Sequence, residues 1–229
     1  MNDQATASVH DVDLVLEPRL HVPGAPPRIS GRVSLGTPVV RPLTADLATT
    51  DPDWRAFLEA EAAHSAYFVL SLFCTFRAAP DGDPIADAAV GVKLHAPDAP
   101  ADRQPIAWSI DPKRRVRPVP RTGRISLTAK LTIVESTVEY APEGSREELF
   151  VVGMGEHDSD PEWRFRAVSG SPLIGDEELT VVVKAPAGIL ARADVSVAAT
   201  VKHRRLGLIP YRADLPPVLR TVELPAQDG

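Results

Sequence analysis

The sequence has one cysteine, few aromatic residues and no excess of basic residues, and each shortage narrows the kinds of protein it can be. The single cysteine, Cys74, cannot form an intrachain disulfide, which excludes a disulfide-stabilised extracellular domain. A net charge of −6 argues against nucleic acid as a partner, because such binding normally needs a dominant basic surface. With only 5% aromatic residues, Trp54, Trp108 and Trp163 are each expected to fill the core.

Long apolar runs are also missing. No uninterrupted apolar stretch approaches the length needed to span a membrane, and the N-terminal MNDQATASVHDVDL shows neither a basic start nor an apolar signal segment. We therefore expect a cytoplasmic protein with no membrane span.

Proline, by contrast, is abundant, with 23 residues spread along the chain. Because proline interrupts helices, this spacing favours short strands joined by proline-rich loops. Hydrophobic residues make up 44% and charged residues 24%, as in ordinary globular proteins. We expect one domain over residues 1–229, since a single β-rich domain of this length is common.

Alternation of apolar and polar residues with a period of two is the clearest pattern. It predicts half-buried strands in RISLTAKLT (124–132) and ADVSVAATVK (193–202), whereas YFVLSLFCTF (67–76) is apolar on both faces and predicts a central strand in which Cys74 is buried. The turn-prone APAG before the second strand predicts a β-hairpin over 178–202. Further strands are predicted at 8–16, 28–35, 88–95, 105–110, 147–153, 163–168 and 207–212.

One segment has a helical pattern. Asp51 is a good N-cap, Pro52 suits the first helical position, and Trp54, Phe57 and Leu58 fall on one face. We therefore predict an all-β fold: an antiparallel β-sandwich with one short helix near residues 52–63, with an open β-barrel as the nearest alternative.

Two stretches of the chain resemble each other. Residues 76–97 and 165–186 align without a gap, and eight of the 22 paired positions are identical. Both begin with Phe-Arg-Ala, continue through a turn-rich loop and end in Ala-Pro, so they read as two related strand-turn-strand units. The competing interpretation is that alternating strands in an alanine-, valine- and proline-rich chain match by chance.

No catalytic motif is recognisable, since phosphate loops, dinucleotide fingerprints, nucleophile elbows and zinc-protease patterns are all missing from the sequence. We predict no cofactor, no metal and no assigned catalytic residue. The densest polar cluster, GEHDSDPEW (155–163), has the composition of an exposed turn; the alternatives are an ion site or an enzyme that uses His157 with Asp158 or Asp160 as acid and base.

Two basic stretches, DPKRRVRPVPRTGR (111–124) and KHRRLGLIPYR (202–212), are the other candidates. The prolines of the first predict an extended loop, and the second follows a strand. If both lie at one end of the fold, their arginines would form an anion-binding or partner-binding site; otherwise they are solvated loops. The residues concerned are Arg114, Arg115, Arg117, Arg204 and Arg205.

Three functions compete on this basis. A non-catalytic module that binds another protein is preferred, because the chain is rich in strands and has no catalytic constellation. The enzyme around His157 and anionic-ligand binding by the basic loops are the alternatives. Membrane insertion by an amphipathic hairpin is suggested only by the alternation around residues 124–140. A homo-oligomer is compatible with all of them.

Overall fold

The computed structural model describes residues 8–46, 51–78, 83–120, 125–127, 138–140, 145–169 and 171–226. Within these ranges the chain forms fifteen strands and two α-helices. The helices are α1 (Pro52–Glu61) and α2 (Pro217–Arg220). The strands are β1 (Val9–Leu16), β2 (Arg28–Gly36), β3 (Val39–Pro42), β4 (Ser65–Phe76), β5 (Ile85–His95), β6 (Ile106–Asp111), β7 (Arg114–Pro120), β8 (Ile125–Leu127), β9 (Val138–Tyr140), β10 (Ser145–Met154), β11 (Glu162–Arg166), β12 (Gly175–Pro186), β13 (Ala191–His203), β14 (Gly207–Asp214) and β15 (Thr221–Leu224).

Thirteen of these strands form one antiparallel sheet that is nearly closed into a barrel. Its order is β6-β12-β4-β2-β1-β14-β13-β5-β11-β10-β7, with β3 added to β4 and β15 added to β13. β8 and β9 pair separately. The all-β prediction is confirmed, and the single curled sheet matches the open-barrel alternative. In the described part of the chain, no helix is long and apolar enough to cross a membrane.

The two ends of the strand order, β6 and β7, are consecutive in the chain and are joined by Pro112 and Lys113. Two hydrogen bonds fix this linker to β10 and β11: the Gly153 amide donates to the Lys113 carbonyl at 3.0 Å, and Trp163 Nε1 donates to the Pro112 carbonyl at 3.1 Å. A Cβ atom on Gly153 would lie 2.5 Å from the Pro112 oxygen, so only glycine fits there.

The core lies inside the curled sheet and is built from alternate residues of its strands, as the alternation predicted. Trp163 is fully buried, and the rings of Phe76 and Phe165 pack with their centroids 5.1 Å apart. Cys74 is 1% exposed, which confirms its predicted burial.

Helix α1 begins as predicted. The Asp51 carboxylate accepts hydrogen bonds from the amides of Asp53 and Trp54, and Pro52 occupies the first turn. The structure adds the one-turn helix α2, which the sequence did not predict because four residues are too few to show a period of 3.6.

Two local predictions are wrong. Residues 178–202 do not form a hairpin: β12 pairs with β4 and β6, whereas β13 pairs with β5, β14 and β15. Alternation identifies a strand but not its partner, which long-range packing decides. The first basic stretch is not a loop either, since residues 114–120 form strand β7, where proline is tolerated because the strand lies at the end of the sheet order. Most of the strand predicted at 124–132 lies outside the described residues, except β8.

The two similar stretches, 76–97 and 165–186, occupy related positions. The chain crosses from β4 to β5 in the first and from β11 to β12 in the second, and neither pair of strands is adjacent in the sheet. Instead β4 pairs with β12 and β5 pairs with β11, so each strand of one stretch lies beside a strand of the other. We call these two crossings arches; their described residues, 77–78 and 83–84 in the first and 167–169 and 171–174 in the second, lie at the same end of the fold. That they arose by duplication stays a prediction.

Candidate binding surfaces

The arginines of the first basic stretch are partly neutralised by one buried acid. Glu177, on β12, is 6% exposed. Arg115 Nη1 lies 2.7 Å from Glu177 Oε2, and Arg117 Nη2 lies 3.8 Å from Oε1. Arg117 also stacks on the ring of Phe150, 3.5 Å from its centroid. These two guanidinium groups therefore link β7 to β12 through Glu177, as well as contributing positive charge.

The other three predicted arginines are placed differently. Arg114 is exposed at the start of β7, and Arg204 and Arg205 are exposed in the turn between β13 and β14. None of the three makes an ion pair with a described residue. The structure thus brings Arg115 and Arg117 together on Glu177, but it gives no contact between them and the β13–β14 turn. An anion-binding site at the free arginines stays a prediction.

The acidic loop after β10 covers a sheet edge. His157, with a positive φ of 67°, donates its amide to the Ala107 carbonyl at 2.6 Å, and the Ala107 amide donates to the Asp158 carbonyl at 2.8 Å. Ala107 lies in β6, so the loop satisfies the backbone groups of an end strand.

The side chains of this loop make few contacts with one another. His157 is exposed and packs its ring edge-on to Trp108, at 5.6 Å, and Glu156 pairs with Lys113 at 2.8 Å. No group of three or more potential metal ligands occurs among the described residues. The enzyme hypothesis around His157 stays a prediction.

Two of the three tryptophans lie outside the main core. Trp163 fills the core as predicted, but Trp54 and Trp108 are half-buried in a second cluster with Phe57 and Tyr67 beneath α1. Trp108 lies on the outer face of β6 and not on the face that lines the main core, which explains the difference.

A cation lies at the edge of this cluster. Lys184 Nζ lies 5.2 Å from the centroid of Trp108 and 2.7 Å from Glu61 Oε2. The hydrogen bond from Lys184 holds the pKa of the Glu61 carboxyl below its usual value. Glu61 lies on α1 and Lys184 lies on β12, so their ion pair attaches the helix to the sheet. The pair also neutralises the cation beside the cluster.

An apolar trough with a volume of about 560 Å³ lies on the outer face of the sheet. We call it the β10 trough. Its floor is made of alanines on β5 and β13, which leave space because their side chains are short. The lining residues are Glu17, Asp87, Ala88, Ala89, Leu149, Phe150, Val152, Met154, Arg164, Phe165, Arg166, Ala198, Ala199, Thr200, Pro210 and Tyr211.

Two large apolar side chains of the trough face solvent: Leu149 is 42% exposed and Met154 is 38% exposed. Its arginines already have partners, since Arg164 pairs with Glu162 at 2.5 Å and Arg166 with Asp87 at 3.1 Å. This surface was not among the sites predicted from the sequence. The available signal was the run LFVV at 149–152, which is apolar on both faces of a strand.

Comparison with known proteins adds little. No family model and no curated protein matches the chain. Among solved structures it is similar to the Clostridium perfringens NetB toxin in its membrane-inserted form, at 8% identity and a TM-score of 0.30 over 94% of each chain. A likeness this weak carries no conclusion about function.

Proposed function

We propose that the protein is a non-catalytic binding module that acts in the cytoplasm and docks a protein partner in the β10 trough. The observation that carries the proposal is the solvent exposure of Leu149 and Met154 inside an apolar concave surface. Grouped apolar side chains that remain exposed in a folded protein typically mark a contact site.

The chemistry of the trough indicates the chemistry of the partner. Its floor is apolar, and the guanidinium groups at its rim are paired within the chain. A segment with two or three apolar side chains would therefore gain most of its binding free energy from burial, with the charged rim setting its orientation. Methionine suits such a surface because its side chain adapts to different shapes.

The ends of the sheet order favour face-on docking over strand addition. The loop after β10 hydrogen-bonds to β6, and β7 carries Pro118 and Pro120, which have no N–H to donate. A partner strand would find few backbone donors at either end, so side-chain burial in the trough is the better-supported mode.

Affinity capture from native lysate, with mass spectrometry, tests the proposal when three baits are compared. The double variant Leu149→Gln with Met154→Gln keeps side-chain size but removes the apolar contact, and we expect it to lose at least about 10-fold of the captured partner. Val218→Gln, at an apolar residue that is 55% exposed on α2, is the matched control and should capture as the wild type does. Equal capture by all three baits would reject the trough as the docking site.

A second candidate, insertion of a hairpin into a lipid bilayer, is favoured by one observation. β8 and β9 pair antiparallel apart from the main sheet, between two strands that are themselves paired, β7 and β10. Their register places Ile125 opposite Tyr140 and Leu127 opposite Val138, within the alternating segment of the sequence. Dye release from phosphatidylcholine–phosphatidylglycerol vesicles that falls on Leu127→Asp would support it, and the absence of release from wild-type protein would reject it.

A further inference from the structure

Arg32, on β2, is a buried cation without an acid partner among the described residues. It is 7% exposed, and its Nε donates to the Arg77 carbonyl at 3.2 Å. No carboxylate of the described residues lies within ion-pair distance of it. A guanidinium group has five N–H donors, so this single bond leaves most of its hydrogen-bonding capacity unused. Burial lowers the pKa of Arg32 from its usual value. Arginine side chains in proteins stay charged at neutral pH.

Arg32 lines a small cavity of about 180 Å³ at the end of the fold where the two similar arches meet. Its other walls are almost entirely apolar. One arch contributes Arg77, Ala78, Pro84 and Ile85, and the other contributes Pro172, Leu173 and Ile174.

The charges around this cavity favour an anion with one negative charge. Arg77 is already paired with Asp11, at 2.8 Å, and also donates to Ser34. Asp83 influences Arg32 through its charge, but its nearest basic partner is His203, with Oδ2 to Nε2 at 3.3 Å. A doubly charged anion such as phosphate would be repelled by Asp83 more strongly than a singly charged one.

We propose that this cavity, the Arg32 cavity, binds a small carboxylate with a branched apolar body. The carboxylate would accept a bidentate pair of hydrogen bonds from the Arg32 guanidinium, which is the geometry that this group matches best. The apolar body would contact Pro84, Ile85 and Leu173. The site is separate from the β10 trough, so it does not depend on the proposed function.

Isovalerate is a suitable probe, because it joins one carboxylate to a branched four-carbon body. Binding to the full chain is measured by ligand-observed saturation-transfer NMR. We expect saturable binding to the wild type, and at least about 10-fold weaker binding to the variant Arg32→Met, since a hydrogen-bonded charge pair is lost. Arg192→Met removes an arginine elsewhere on the surface, paired with Glu223, and should leave binding unchanged. Isovaleramide, which lacks the charge, should bind at least about 10-fold more weakly than isovalerate.

Four binding results would overturn the proposal: no saturable binding of isovalerate, equal binding by the wild type and Arg32→Met, equal binding of isovaleramide, or tighter binding of inorganic phosphate. Thermal unfolding separates a ligand site from a structural role. If groups of the chain itself hold the guanidinium, Arg32→Met should lower the Tm by more than about 5 °C, and that result would also overturn it.

Discussion

Two charged side chains lie inside the described part of the molecule, Glu177 on β12 at 6% exposure and Arg32 on β2 at 7%. Glu177 is met by two guanidinium groups, from Arg115 and Arg117. Among the described residues, Arg32 donates only to the backbone carbonyl of Arg77. The surroundings of Glu177 compensate its charge within the chain. The residues around Arg32 instead leave a cavity beside its charge.

The difference matters because an isolated charge is costly to bury and a paired one is less so. Glu177 joins β12 to β7, strands that lie far apart in the sheet order, so its ion pairs stabilise the closed arrangement of the sheet. Arg32 makes no comparable link. A buried charge that does not hold two elements together is a better candidate for binding a ligand.

The largest effect is expected from removing both partners of Glu177. The double variant Arg115→Met with Arg117→Met leaves the carboxylate buried and unpaired, while methionine keeps an apolar contact with Phe150. We expect the free energy of unfolding to fall by about 3–5 kcal/mol, measured by chemical denaturation.

The triple variant that adds Glu177→Leu is the control for this prediction. It removes the stranded charge along with its partners, and replacement of a whole buried ion pair by apolar residues is often neutral. It should recover stability to within about 1 kcal/mol of the wild type. A double variant that unfolds within 1 kcal/mol of the wild type would show that the ion pairs do not stabilise the closed sheet.

Cys74 reports on the same region, since it lies opposite Glu177 in the β4–β12 register. Burial raises the pKa of the thiol well above its usual value, and the Glu177 and Asp176 carboxylates raise it further. Native wild-type protein should therefore react slowly with a thiol reagent at pH 7, and also at pH 9, where a free thiol is largely ionised.

In the double arginine variant the labelling of Cys74 should accelerate by about 100-fold or more, because a loss of 1.4 kcal/mol increases opening about 10-fold. The Arg192→Met variant should label at the wild-type rate. Fast labelling of the wild type at pH 9 would contradict the buried environment of the thiol.

The smallest effect is expected at Arg32. Arg32→Met removes a buried charge that has no acid partner, so the free energy of unfolding should stay level or rise by about 1 kcal/mol in the same denaturation experiment. A fall of more than 1 kcal/mol would remove the contrast between the two buried charges.

Much of the fold follows from local patterns. Alternation identified most of the long strands, and the Asp51–Pro52 pair identified the start of α1, because capping and side-chain direction are set within a few residues. The hairpin predicted at 178–202 failed for the opposite reason: β12 and β13 choose partners about a hundred residues away.

Candidate sites were predictable only in part. The basic stretches were visible as runs of arginine, but their sequence could not show that Glu177 holds Arg115 and Arg117. The β10 trough left a weak signal in LFVV, since an apolar residue on the outward face of a strand is unusual.

Arg28 and Arg32 show what the sequence determined about this protein and what only the tertiary structure decided. Both lie at polar positions of the alternating segment RISGRVSLG (28–36). The sequence by itself determined that this segment is a strand whose polar residues point away from the core. In the structure Arg28 stays exposed and pairs with Asp13, while Arg32 is buried where the two arches meet. Only the tertiary structure decided this, because the walls around Arg32 come from segments 45 to 142 residues away along the chain, and nothing local to β2 encodes their arrival.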